Sequence, residues 1–174
     1  TFFMSSKDMC MIDHIRELEE SGISSYKIEG RVKSAYYAAV VTNAYRMAID
    51  RYRRDPASYE SDPLIRRELD SVSHREYSTG FFFTDPREDA GVVTAPGYVR
   101  DKAYLAVCDE DCLIPDGDGM YTVRFRQKNK VSPGMTAEVI SPGKVGRPFT
   151  VGEMTDGQGE PIESAPHPSM IFTV

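Results

Sequence analysis

Cys10 is the first residue whose type and place suggest chemistry. It stands where a short apolar run gives way to a helical pattern. A helix N-terminus favours the thiolate that metal ions require. The plain alternative is a buried structural cysteine. Glu29 and Arg31 flank Gly30 at the end of a predicted strand. A carboxylate and a guanidinium there could orient an anionic substrate or a proton transfer, or pair to lock the strand end. His74, Arg75 and Glu76 could bind a substrate or hydrogen-bond the connection between the two halves of the chain. His14 and Glu17 stand three apart on a predicted helix, a spacing open to two metal ligands, although such a pair without further ligands is usually a solvated face.

The second half carries weaker signals. Cys108 and Cys112 resemble half a metal site, but no second Cys or His pair follows at ligand spacing. Asp116 and Asp118 resemble part of a calcium loop without its later Glu, so a turn is the better reading. Arg124, Arg126, Lys128 and Lys130 alternate along a predicted strand and its turn, which projects them to one face. Such a strip could touch phosphate, or be a solvated strand face. No nucleophile elbow, phosphate loop or zincin motif is present.

The elements that would position these groups follow two grammars. In the first half, residues 1–6 suit a strand end, and Asp8 suits the cap of a helix bearing Ile12, Ile15 and Leu18 on one side. Gly22 suits a left-handed helix end. Residues 25–28 read as a short strand broken by Gly30. Ser34 should cap a helix with Tyr37, Val41, Ala44, Ala48 and Tyr52 as its apolar stripe, and Pro63 should open another helix through about Leu69. Strand, helix, strand, helix is the order of a parallel α/β sheet or barrel, whose active-site face is built from strand C-termini.

Pro86, Gly91, Pro96 and Gly97 mark a linker over residues 86–97. Strands are predicted beyond it over 98–108, 120–128, 136–140, 149–154 and 169–174, with hairpin turns at Asp116-Gly117 and Asp156-Gly157. Several short strands in so few residues suggest a small barrel.

Composition sets the outer limits. The 174 residues fit one medium domain or two small ones. A formal charge of −6 gives no bulk steering toward nucleic acid. Neither a secretory signal nor an apolar run of the roughly 20 residues a membrane helix needs is visible. Three cysteines give no disulfide framework and fit a reducing cytoplasm.

Three stretches carry a family likeness. They are Met4-Ser-Ser-Lys-Asp-Met-Cys-Met-Ile-Asp13, then Tyr26-Lys-Ile-Glu-Gly-Arg-Val-Lys-Ser34 with Tyr36-Tyr37, and Ser73-His-Arg-Glu-Tyr-Ser-Thr-Gly-Phe81. In order and spacing they resemble the later motifs of peptidase family U32. The ending Gly159-Glu-Pro-Ile-Glu-Ser-Ala-Pro-His-Pro168 resembles the close of that family's C-terminal domain. The resemblance implies an α/β plus all-β chain. Residues 1–85 would be the C-terminal strands and helices of a (β/α)8-type barrel, and residues 98–174 a small antiparallel β-barrel domain.

It also implies a piece of a longer enzyme, inactive alone. Family members are known as collagenase-like peptidases. Others act in oxygen-independent hydroxylation of tRNA wobble uridine, including a prephenate-dependent reaction, or of quinone precursors. These relatives resemble iron–sulfur proteins with a 4Fe–4S cluster on four cysteines. Cys10 matches the fourth, and the other three would lie upstream, so no cluster is expected on this chain by itself. The resemblance makes Glu29 and Arg31 catalytic candidates, and His74, Arg75, Arg124 and Arg126 substrate-binding candidates. The implied partners are a polypeptide or tRNA substrate and the N-terminal barrel of the same protein. Self-association through an incomplete barrel is a further expectation, and no membrane is implied.

Overall fold

A computed structural model describes residues 5–95, 97–115 and 121–174, and in 109–111 the backbone alone. The chain divides into two compact units, residues 1–102 with 140–145, and residues 103–139 with 146–174.

The first unit is built on helix packing. α2 (Ala35–Arg54) starts where the Ser34 hydroxyl accepts the Tyr37 N–H at 3.2 Å. Its buried stripe is Val40, Val41, Ala44, Ala48, Ile49 and Tyr52, close to the pattern expected from the sequence. α3 (Pro63–Asp70) is capped by Asp62, whose carboxylate accepts the Leu64 N–H at 2.8 Å, and buries Ile65 and Leu69. Together with Ile12 and Ile15 these side chains form one core. α1 (Ile15–Glu20) ends at Ser21, and Gly22 follows with φ +77°, the left-handed conformation that stops a helix.

Two expectations fail in this unit. Asp8 does not cap a helix. It lies in the two-residue strand β1 (Asp8–Met9), and the helical path begins only at a 3-10 turn, Ile12–His14, without a side-chain cap. The carboxylate is drawn instead to a cation far along the chain. Residues 25–28 form no strand and are mostly exposed, because a strand needs a ladder partner and none is present among the described residues. Among the described residues, parallel pairing is limited to β1 with β2 (Tyr77–Ser78), Asp8 opposite Tyr77 and Met9 opposite Ser78. Ser6 bridges Val92 in antiparallel sense. The fold is therefore mixed α/β, and no closed barrel occurs among the described residues.

The second unit is antiparallel. β3 (Ala106–Pro115), β4 (Tyr121–Gln127), β9 (Ile171–Thr173), β7 (Met154–Asp156) and β8 (Pro161–Ile162) form one sheet in the order β3-β4-β9-β7-β8. β5 (Thr136–Ser141) and β6 (Lys144–Thr150) make a separate two-stranded ribbon. β3 starts later than the sequence pattern suggests. The predicted strand over 149–154 is really the end of β6 and the start of β7. Asp156 does make a turn, with its carboxylate accepting the N–H groups of Gln158 and Glu160, but the positive φ falls on Gly159. The Asp116-Gly117 turn lies outside the described residues. Val131, Val151, Met154, Ala165 and Phe172 form the core, with Phe125 stacked on Phe172 at 5.5 Å.

Candidate functional site

The first unit gathers charged and aromatic side chains around β1 and β2. Asp8 is their centre. Its Oδ1 accepts from Arg75 Nε at 2.9 Å and lies 2.8 Å from Arg75 Nη2, while Oδ2 accepts the Arg75 backbone N–H at 3.0 Å. Lys33 Nζ stands 3.9 Å from Oδ2 and donates to the Ser73 carbonyl at 2.9 Å. Burial works to raise the Asp8 carboxyl. The hydrogen bonds and charge of Arg75, with the charge of Lys33, outweigh it and hold the group below the usual carboxylate range.

Lys33 is also held by π-faces. Its ammonium lies 4.4 Å from the Tyr98 ring centroid and 5.2 Å from that of Tyr37. Partial burial lowers its pKa, and the nearby Asp8 opposes that shift. Tyr37 joins Lys33 to the next segment, since a side chain in place of Gly30 would meet the Tyr37 ring at 3.3 Å. Its phenol is raised by burial, then by the negative charge of Asp8, Cys10 and Glu29.

Cys10 follows β1 and is only 7% exposed. Its N–H donates to Ser78 O at 2.8 Å, extending the β1–β2 pairing. The Tyr45 hydroxyl lies 4.0 Å from its sulfur and accepts the Met11 N–H at 2.8 Å. Burial pushes the Cys10 thiol up. A hydrogen bond from Ile12 and the positive charge of Arg66 act the other way and do not prevail, so the thiolate expected from a helix N-terminus is not favoured here. Arg66 is committed to Asp13 at 2.5 Å and Asp70 at 3.3 Å, with its guanidinium 5.2 Å from the Tyr77 ring centroid.

The other first-unit candidates have hydrogen-bond partners of their own. The Glu29 carboxylate accepts the Arg31 N–H at 2.9 Å, closing a local turn, and both residues are exposed. His74 is buried, stacked on Tyr77 at 4.0 Å, with Nδ1 2.6 Å from Arg75 O. Its backbone pairs with Val99 in both directions. The Glu76 carboxylate accepts from Thr94 and Ala95. His14 stacks on Phe83 at 4.0 Å and lies 3.3 Å from Glu17. In the second unit, Arg124 and Arg126 sit on β4 opposite Thr173 and Ile171 of β9. β4 ends at Gln127, so Lys128 and Lys130 do not continue the strand face.

Lys33, Tyr37, Tyr45 and Arg66 were not singled out as site residues in the sequence. Lys33 and Tyr37 did lie within a motif, which was the only signal available. An iron–sulfur cluster takes four thiolates; the first unit supplies Cys10, and among the described residues no three His, Cys, Asp or Glu side chains are grouped to hold a metal ion.

A helical α/β unit that clamps a carboxylate between two cations beside a buried thiol, followed by a small antiparallel β unit, defines a two-part chain of mixed class. Residues 1–91 match peptidase family U32, and residues 111–174 match the peptidase family U32 C-terminal domain. The chain belongs to peptidase family U32. The tRNA hydroxylation protein P1 of Bacillus subtilis is 30% identical over 173 residues, 98% of this chain and 39% of that protein. The tRNA hydroxylation protein P of Escherichia coli is 32% identical over 171 residues, 95% of this chain and 35% of that protein. An uncharacterized protease of Methanocaldococcus jannaschii is 45% identical over 84 residues, 48% of this chain and 20% of that protein. The chain thus spans well under half the length of these curated relatives. No helix among the described residues is long and apolar enough to cross a membrane.

Proposed function

We propose that this chain is the C-terminal region of a U32 protein that hydroxylates tRNA in the cytoplasm. The observation that carries the choice is the extent of likeness. The Bacillus subtilis tRNA hydroxylation protein aligns over 98% of the chain and so through both units, whereas the protease relative aligns over 48%.

In this reading the first unit completes a (β/α)8-type barrel whose remaining strands belong to the longer protein. Asp8, Arg75 and Lys33 hold the strand ends in place, and Glu29 and Arg31 face the reacting base. His74 and Arg75 fix the substrate side of the site. Cys10 supplies one thiolate to an iron–sulfur cluster whose other ligands lie in the longer protein. Arg124 and Arg126 meet tRNA phosphate. Isolated, the chain is inactive and pairs with itself through the incomplete barrel.

Peptide cleavage is the second reading. It is favoured by the 45% identity to the protease relative over 84 residues. One experiment separates them. The longer protein, expressed in cells lacking their own tRNA hydroxylation proteins, is expected to restore hydroxylated wobble uridine in nucleoside mass spectra and to leave gelatin intact. Gelatin cleavage by the purified protein with no hydroxylated uridine would reverse the order of the two readings.

A further inference from the structure

The β3–β4 ladder slips between Cys108 and Leu113. Cys108 lies opposite Phe125 and Leu113 opposite Val123, so five residue steps on β3 span only two on β4. Two strand steps are about 6.6 Å, and the chain between them must bulge out. The neck of the bulge is thus drawn to about that width. Cys108 stands on one side and Cys112, next to Leu113, on the other, and a disulfide spans Cα separations of roughly 4.4–6.8 Å. Both cysteines are free, Cys108 exposed and Cys112 half-buried, and burial, followed by the neighbouring Cys112 thiol, pushes the Cys108 thiol up.

We propose that Cys108 and Cys112 form a dithiol modification site that closes, on exchange with a small-molecule disulfide of the glutathione class, into an intrachain disulfide across the neck of the β3 bulge. One thiolate attacks the small disulfide, forms a mixed disulfide and releases one small thiol. The other cysteine loses its proton, attacks the protein sulfur of that mixed disulfide and displaces the second small thiol. Two protein thiols are oxidised to one disulfide, and one small disulfide is reduced to two thiols. Arg124 is the β4 residue between Val123 and Phe125, opposite the bulge, so the bridge would fix the shape of the β3 segment facing it. Cys10 is buried in the other unit and takes no part.

The test treats the purified chain with oxidised glutathione, quenches with iodoacetamide under denaturing conditions, and maps tryptic peptides by mass. The peptide between Lys102 and Arg124 contains both cysteines. It is expected to lose the mass of two hydrogens and carry no alkyl group, while Cys10 is alkylated in full. Cys108→Ser and Cys112→Ser should each stop at a stable glutathione adduct on the remaining cysteine. Full alkylation of both cysteines after treatment, a lasting adduct in the unsubstituted chain, or a disulfide joining two chains would each overturn the proposal. The mass map of the unsubstituted chain decides the matter even where a variant fails to fold.

Discussion

Arg75 closes on Asp8 across 67 residues of chain, giving that one carboxylate both its guanidinium and its backbone N–H. The contact joins the start of β1 to the segment leading into β2, beside the only parallel pairing among the described residues. Both side chains are half-buried and the pair is hydrogen-bonded through the guanidinium and a backbone N–H, so it is worth more than an exposed ion pair.

Asp8→Asn should cost about 1–3 kcal/mol, the range for losing charge-assisted hydrogen bonds at a half-buried carboxylate. Urea unfolding of the first unit reads the loss. The pH dependence has a definite sign. The folded Asp8 pKa lies below its ordinary value of 3.8, so its contribution is complete above that value and is lost as pH falls through the lower folded value. Asp8→Asn should flatten this part of the acid limb. An unchanged acid limb would show that Arg75 does not act through Asp8.

Ser34→Ala removes the hydroxyl that accepts the Tyr37 N–H, and should cost about 1 kcal/mol. Ser34→Asp should retain most of the stability, because a carboxylate caps equally well. Thermal unfolding of the two variants side by side checks the assignment of the α2 start.

Phe172→Ala in the second unit should be the most damaging of these changes, at about 3–5 kcal/mol. The ring is 2% exposed and stacks on Phe125. Near-UV circular dichroism and denaturant unfolding would register the loss, and a cost below that of Ser34→Ala would contradict the core assigned here.

In the longer protein, Cys10→Ala should strongly reduce iron and acid-labile sulfide, while Cys108→Ser and Cys112→Ser leave both nearly unchanged. The measurement is iron content and visible absorption after anaerobic purification. Loss of iron only in the Cys108 or Cys112 variants would place the ligand in the second unit and overturn the assignment of Cys10.

Arg124→Gln and Arg126→Gln should each weaken tRNA binding by the longer protein, with the salt dependence of log K falling by about one per phosphate contact removed. Filter binding across a salt series measures it. Weaker binding with an unchanged salt slope would mean that these residues do not meet phosphate.

Much of the fold was legible in the sequence because local rules govern it. The Ser34 cap, the apolar stripe of α2, Pro63 at the head of α3 and Gly22 after α1 each depend on residues within a turn or two. The family likeness was also legible, because it rests on ordered motifs. What the sequence could not determine depended on partners distant in the chain. Asp8 read as a helix cap because its neighbours suit a helix, yet Arg75 lies 67 residues away and supplies a better hydrogen-bonding partner. Residues 25–28 have strand composition, but strand formation is a property of pairs, and the folded chain offers them no partner among the described residues. Cys10 could be read either as a thiol activated by its place before a helical pattern or as a buried structural cysteine. Tertiary packing of the residues around it supplied the burial that outweighs this effect. Only the folded chain placed Lys33 between Tyr37 and Tyr98, since a cation and two rings separated in sequence meet only when the intervening elements pack.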